Sequence, residues 1–342
     1  MKVCVIGGGP AGLYTAASLL SRDVNVTLYE KEPELGGLYR YSLLPESRMS
    51  PFTKLLEHKN FSLKLNSKID LEKLSGMEKE FDAFVIATGP GGPRKLAIPG
   101  ADHCIGSLDI AKSWAGEEPK YTVGSKVLIV GMGDVSMDIT KYLFGWAGPQ
   151  FKFPKNALER VKEVRDVTIT SRRNVLESSF SNHGLRSVLE IPRLGFSWSS
   201  PKDISCPDKD KTKDLEQKFT YLQKDDGKKD NINKWKERRL RLFQGVREGA
   251  KRLRLMFNTN IKSIERVGRQ YKVKMEQGGI PIEEYFDTVI SSVGFSRADP
   301  RSLGFTKPVY YVGWAKHPKG NAERAKEDAQ DVVNKIVEMK KM

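Results

Sequence analysis

Val3-Cys4-Val5-Ile6-Gly7-Gly8-Gly9-Pro10-Ala11-Gly12 is an apolar strand that enters a glycine-rich turn and continues as a helix. Gly7 permits the tight turn, Gly9 lets backbone approach a pyrophosphate, and Gly12 lets the helix pack closely on the strand. The unpaired N–H groups and dipole at the helix start favour an anion. An amphipathic helix (Leu13 to Leu20) and a second strand (Val24 to Tyr29) complete a βαβ unit. Glu30 ends that second strand. A carboxylate there hydrogen-bonds ribose hydroxyls and repels a 2′-phosphate, so FAD or NAD is favoured over NADP.

The pattern occurs again. Val127-Leu128-Ile129-Val130 leads into Gly131-Met132-Gly133-Asp134-Val135-Ser136, then a helix to about Phe144 and a strand at Val167-Thr168-Ile169-Thr170. Serine replaces the third glycine and is small enough for helix and strand to stay close. The strand ends in Ser171-Arg172-Arg173 instead of an acid. Guanidinium groups fork onto a phosphate and stack on adenine, so this loop suits NADP. Two such loops in one chain suggest an enzyme that holds one dinucleotide against another for electron transfer.

A chain of 342 residues accommodates two domains with their own cores. No apolar run approaches the roughly 18–20 residues that span a bilayer. The first strand is expected to begin at Lys2-Val3, and no cleavable targeting peptide is expected before it. Cys4, Cys104 and Cys206 are far apart and form no Cys-x-x-Cys, which argues against a disulfide scaffold, a metal site and a dithiol relay. A reducing intracellular compartment follows. Against 43 acidic residues stand 58 basic ones, a net charge of +15 that attracts an acidic partner.

Further strands are expected at Phe84–Ala87, Tyr271–Met275 and Thr288–Ser291, with a closing turn at Thr88–Pro93 and a boundary at Pro99-Gly100. Residues 200–233 are charge-dense and read as an exposed loop, and helical character is expected over Lys234–Leu255. A terminal helix runs from about Ala322 to Met339.

Four further segments carry a family resemblance. They are Gly37-Leu38-Tyr39-Arg40-Tyr41 with Leu44-Pro45; Arg172-Arg173 with Phe180, Leu185-Arg186 and Ile191-Pro192; Ser291-Ser292-Val293-Gly294-Phe295; and Gly313-Trp314-Ala315-Lys316. Together with the two loops, and in this order, they resemble the adrenodoxin reductase type of NADPH:ferredoxin reductase, within the glutathione-reductase-like flavoproteins. The resemblance implies an α/β chain of two Rossmann-like dinucleotide-binding domains, the second inserted in the first. Residues 1–101 and 296–342 would hold FAD, and 102–295 NADP.

By the same resemblance, FAD would lie against Gly7, Gly9, Pro10, Ala11, Gly12, Glu30, Lys31, Leu38, Ile69, Ala87, Thr88, Gly89, Gly313, Trp314, Gly320, Asn321 and Ala322. NADP would lie against Gly131, Gly133, Asp134, Val135, Ser136, Arg172, Arg173, Trp314 and Gly320. The helix start at Gly320-Asn321-Ala322 would favour negative charge on the flavin. No protein group acts as catalyst, although Asp138 and Glu46 are candidates for a proton path.

The sequence departs from the family in places. Asp134 stands where the family has asparagine, which puts a negative charge beside the NADP pyrophosphate. Gly184 replaces an acid, Glu46-Ser47 replaces Asp-His, and Lys316-His317-Pro318 is a contraction.

The implied activity is electron transfer from NADPH through FAD to an acidic [2Fe–2S] ferredoxin, with no metal, nucleic acid or membrane span. Lys236, Arg238, Arg239 and Arg241 on a basic helix would dock the ferredoxin. A monomer serving iron–sulfur cluster assembly in a mitochondrion-like matrix is expected, with cytosol as the other compartment. The competing reading is another NADPH-dependent flavoprotein reductase with a small-molecule or different protein acceptor. A non-catalytic flavin-binding or nucleic-acid-binding protein is a remoter one.

Overall fold

In a computed structural model, residues 1–43, 49–118, 121–149, 151–200, 228–243, 247–298, 305–317 and 322–341 are described. They form two compact units: residues 1–94 with 294–342, and residues 95–293. The second unit is thus an insertion in the chain of the first.

The chain begins with β1 (Lys2–Ile6), α1 (Pro10–Leu20), β2 (Asn25–Tyr29), β3 (Phe61–Lys64), α2 (Leu71–Gly76) and β4 (Ala83–Ile86). The second unit runs β5 (Ile105–Gly106), α3 (Ser107–Trp114), β6 (Lys126–Val130), α4 (Asp134–Leu143), α5 (Lys155–Glu159), β7 (Asp166–Thr170), α6 (Asn182–Leu189) and β8 (Leu194–Ser199). It continues with α7 (Lys228–Arg241), β9 (Lys251–Met256), β10 (Thr259–Val267), β11 (Gln270–Gln277), β12 (Ile280–Phe286) and β13 (Thr288–Ser291). The first unit is then completed by β14 (Val309–Tyr311) and α8 (Ala322–Lys341).

In the first unit, five parallel strands lie in the order β14-β4-β1-β2-β3. Side chains alternate across a strand, so β1 feeds two cores. Val3 and Val5 join Leu13, Ala16 and Leu20 of α1 with Val332, Val333 and Ile336 of α8. Cys4 and Ile6 face the other way, toward Leu74, Phe81 and Phe84. Helix α8 buries Ala325, Ala329, Val332, Val333 and Ile336, one stripe at helical spacing.

The second unit has six parallel strands in the order β5-β13-β6-β7-β9-β8, and a separate antiparallel sheet of β10, β11 and β12. In each parallel sheet the strand order reverses beside the strand that precedes a glycine loop, β1 or β6. That crevice, outside the carboxyl ends of the strands, is where open α/β sheets take ligands.

One expectation is corrected. Lys234–Leu255 is not a continuous helix: α7 ends at Arg241, and Lys251–Met256 is a central strand. The cause is a period of two hidden in a basic run. Leu253 and Leu255 are buried, while the Arg252 guanidinium grips the Asp166 carboxylate and Arg254 donates to Glu284 at 2.6 Å. Ion pairs let arginines occupy positions that composition alone assigns to a solvated helix.

Helix α1 approaches β1 so closely that a Cβ on Gly12 would strike the Gly7 carbonyl oxygen. Urea denaturation of Gly12→Ala is expected to show a loss of about 1–3 kcal/mol, the usual cost of forcing an extra carbon into a packed contact.

Candidate functional site

Each glycine loop contains two kinds of glycine. Gly7 (φ +108°) and Gly131 (φ +106°) have left-handed backbones, and an added Cβ would meet the carbonyl oxygens of Ala87 and Ser292. These glycines are needed by the fold. Gly9 (φ −76°) and Gly133 (φ −118°) lie in regions open to any residue. A Cβ on Gly9 would find only the Cα of Gly37, at 3.9 Å, and one on Gly133 nothing within 4 Å. Among the described residues no atom crowds these two cradles, at the N-termini of α1 and α4. They fit a pyrophosphate.

Around the first cradle the structure brings several predicted residues together. Gly36 donates its N–H to the Gly8 carbonyl at 2.8 Å, which sets Gly37 and Leu38 against the turn. Gly313 (φ +58°) approaches α1 so closely that its Cβ would lie 2.6 Å from that of Ala11. The half-buried Trp314 stands beside Phe295, with ring centroids 5.5 Å apart. Ala87 donates to the Ile6 carbonyl at 2.8 Å, and the exposed Thr88 and half-buried Gly89 follow it. Pro10 opens α1 as its first residue, where its missing N–H costs nothing.

Glu30 is buried, with 6 % of its surface exposed. Oε2 accepts the Gly8 N–H at 2.6 Å and Oε1 accepts the Glu32 N–H at 3.0 Å. The carboxylate therefore shapes the loop as well as offering its remaining lone pairs to hydroxyl donors.

Ile69 packs on the Leu74–Phe81–Phe84 cluster. Lys31 is exposed and pairs with its neighbour Glu32 at 3.5 Å. Glu46, Gly320 and Asn321 fall outside the described residues, and Ala322 is described only as the start of α8.

At the second loop, Val135 is 44 % exposed on the first turn of α4. Ser136 is fully buried; its hydroxyl donates to the Gly131 carbonyl at 2.7 Å and reaches Ser292 Oγ at 3.1 Å. It ties the turn to the end of β13. Asp134 does not hang free beside the cradle: Oδ1 accepts the Ser181 N–H at 2.7 Å, at the cap of α6. A Cβ on Gly184 would come within 2.5 Å of that same oxygen. The two departures from the family are thus one arrangement, in which the absent side chain at 184 makes room for the carboxylate at 134. Asp138 pairs with Lys141 at 2.6 Å.

The exposed arginines after β7 differ. Arg173 Nη1 donates to the Glu177 carbonyl and to Ser179 Oγ, both at 3.3 Å. Arg172 makes no hydrogen bond or ion pair among the described residues, so its guanidinium is the one ready for an anion. On α7, Arg238 and Arg241 are exposed and Lys236 is half-buried. Arg239 is corrected: only 1 % of it is exposed, so it cannot meet a partner at the surface. Gly36 escaped the sequence reading, although the glycine pair Gly36-Gly37 after the Glu30 strand was a visible signal of a left-handed turn.

The pattern of the pyridine nucleotide-disulphide oxidoreductase family matches residues 1–190, more than half of the 342. The chain belongs to that family. It is 27% identical over 237 residues to a probable NADPH:adrenodoxin oxidoreductase of Dictyostelium discoideum, covering 62% of this chain and 46% of that one. To its Saccharomyces cerevisiae counterpart it is 31% identical over 231 residues, covering 56% and 46%. The chain thus spans just under half the length of these curated relatives. Its fold matches that of Mycobacterium tuberculosis FprA in complex with NADPH at a TM-score of 0.79, with 21% identity, over 98% of this chain and 84% of that one.

The family name includes a disulphide, yet burial pushes the Cys4 thiol up to about 12 and the Cys104 thiol up to about 11. Both therefore stay protonated, and poor nucleophiles, until the pH rises toward those values. In a Cys206→Ser protein, Ellman's reagent at pH 8 is expected to leave both thiols unmodified over minutes. Rapid release of one equivalent would contradict the burial.

The Asp134–Gly184 contact makes an epistatic prediction. In the Asp134→Ala background, Gly184→Ala should stabilise by about 1 kcal/mol through helix propensity. In the native background it should destabilise. A four-protein thermal-melting cycle measures the sign change.

Proposed function

We propose that the chain is an NADPH-dependent flavoprotein reductase that passes electrons through FAD to an acidic [2Fe–2S] ferredoxin. The observation that carries this reading is the opposite chemistry of two similar cradles. One is flanked by the buried carboxylate of Glu30, the other by the guanidinium groups of Arg172 and Arg173. A free ribose suits the first and a 2′-phosphorylated ribose the second. Support also comes from relatives named NADPH:adrenodoxin oxidoreductase and NADPH-ferredoxin reductase.

The first cradle, Gly7 to Gly12 with Glu30, would hold the FAD pyrophosphate and ribose, with Leu38, Gly313 and Trp314 nearby. Gly133, Val135 and Arg172 would hold NADP. When bound, the flavin supplies the conversion of a two-electron donor's hydride into single electrons. The chain's part is binding and orientation. Backbone N–H groups at the starts of α1 and α4 would take the diphosphates, Glu30 would reject a 2′-phosphate, and Arg172 would select one.

Lys236, Arg238 and Arg241 would present positive charge to the ferredoxin and speed encounter. Among the described residues no helix is long and apolar enough to cross a membrane. Action as a monomer in iron–sulfur cluster assembly, in a mitochondrion-like compartment, completes the proposal.

Stopped-flow mixing with NADPH and with NADH tests the nucleotide reading, followed by ferredoxin-coupled cytochrome c reduction at rising salt. NADPH should reduce the bound flavin faster than NADH, and the coupled rate should fall as salt screens the docking charges. Arg172→Ala should lower the NADPH preference about 10- to 100-fold, the worth of a charge-assisted hydrogen bond. Equal reduction by both nucleotides would defeat the assignment of the second loop. Turnover with small acceptors but with no ferredoxin would favour the competing reductase.

A further inference from the structure

Among the described residues the largest fully buried side chain is a charged one, Arg239, with 1 % of its surface exposed. It projects from α7 into the loop that follows β7. Nη1 donates to the carbonyls of Ser178 at 2.9 Å, Val175 at 3.2 Å and Leu176 at 3.4 Å. Nη2 donates to the Phe180 carbonyl, and Nε to Asn182 Oδ1 at 2.9 Å. The flat faces of the guanidinium are covered by Phe180 and Trp235, each with its ring centroid 4.2 Å away.

Trp235 precedes Arg239 by one helical turn, so both project from the same face of α7. Asn182 closes the arrangement, because its Nδ2 donates to the Trp235 carbonyl at 3.2 Å.

Four carbonyl dipoles aimed at one point repel one another. A cation at that point offsets the repulsion, and the guanidinium's planar fork of donors matches such a cage. The caged loop is the one that carries Arg172 and Arg173. Its near end is fixed by Ser171, whose Oγ accepts the Arg173 N–H at 3.0 Å and bonds Ser178 Oγ at 2.9 Å. Its far end is fixed by Asp134 on the Ser181 N–H. Between them Asn174 Oδ1 accepts the N–H groups of Leu176 and Glu177, at 3.0 and 2.9 Å.

We propose that Arg239 is a positioning residue for 2′-phosphate recognition: its caged guanidinium holds residues 172–180 so that Arg172 meets a phosphate at the adenosine ribose. The inference rests on reading the second unit as the NADP site. It adds that nucleotide choice depends on a residue that touches no nucleotide.

Calorimetric titration of the full chain with 2′,5′-ADP and with ADP separates the roles. In Arg239→Met, 2′,5′-ADP affinity should fall about tenfold or more, since the converging carbonyls lose charged donors and the loop relaxes. ADP affinity should stay within about twofold, because no hydrogen bond joins Arg239 to Gly133 or α4 among the described residues. Arg239→Lys keeps the charge without the fork and should fall between wild type and Arg239→Met. If Arg239→Met loses its cooperative thermal transition, Asn182→Ala serves instead, with a loss of about threefold expected for 2′,5′-ADP alone.

Unchanged 2′,5′-ADP affinity in a folded variant overturns the proposal. So does an equal loss for both nucleotides, the mark of a purely structural residue. Wild-type protein that binds both nucleotides equally defeats the NADP reading itself and this proposal with it. Discrimination that Arg172→Ala abolishes and Arg239→Met preserves defeats this proposal alone.

Discussion

A Cβ on Gly7 would meet the carbonyl oxygen of Ala87, and one on Gly131 that of Ser292. In each unit the chain leaves a central strand, turns with positive φ, and passes directly beside the end of the adjacent parallel strand, β4 or β13. That contact sets where the following helix starts and how near the sheet it lies. Gly12 in the first unit and the buried hydroxyl of Ser136 in the second complete the approach by different means. The first simply removes atoms at the contact; the second bridges it with hydrogen bonds to Gly131 and Ser292. With helix and strand so placed, Gly9 and Gly133 are left uncrowded by the described residues.

Electrostatics then makes two similar scaffolds unlike. In the first, a carboxylate is held inside the loop by two backbone donors. In the second, the acid has moved: Asp134 reaches across to Ser181, and the end of β7 carries exposed arginines. A buried guanidinium that is fully hydrogen-bonded, such as Arg239, adds no surface charge. Burial lowers its pKa to about 10, still far enough above neutrality to keep it charged. The exposed positive charge of this helix lies on other residues, Arg238 and Arg241 among them.

The parts legible in the sequence were those set by local chemistry. Glycine spacing announces a strand-to-helix turn because few other residues tolerate it, and Glu30 is recognisable from its place at a strand end. Parts that depend on distant partners were not legible. The run Lys251-Arg252-Leu253-Arg254-Leu255 looked helical because Asp166 and Glu284, which make arginine acceptable in a central strand, lie far away in sequence. Arg239 looked like its exposed neighbours because the carbonyls that cage it come from residues 175–180. Asp134 and Gly184 looked like two separate irregularities until the fold put one carboxylate in the space that the other residue leaves.

The order of apolar strands, glycine turns and polar strand ends was enough to determine two parallel α/β units and a chemical difference between their loops. Both follow from backbone sterics and from side chains a few residues apart. Tertiary structure alone decided which glycines serve the fold and which leave a cradle, that Glu30 also builds its loop, and that one arginine of the basic helix belongs to the interior. Those outcomes turn on contacts between segments tens of residues apart, where burial and the meeting of a donor with its acceptor exist only once the chain has closed.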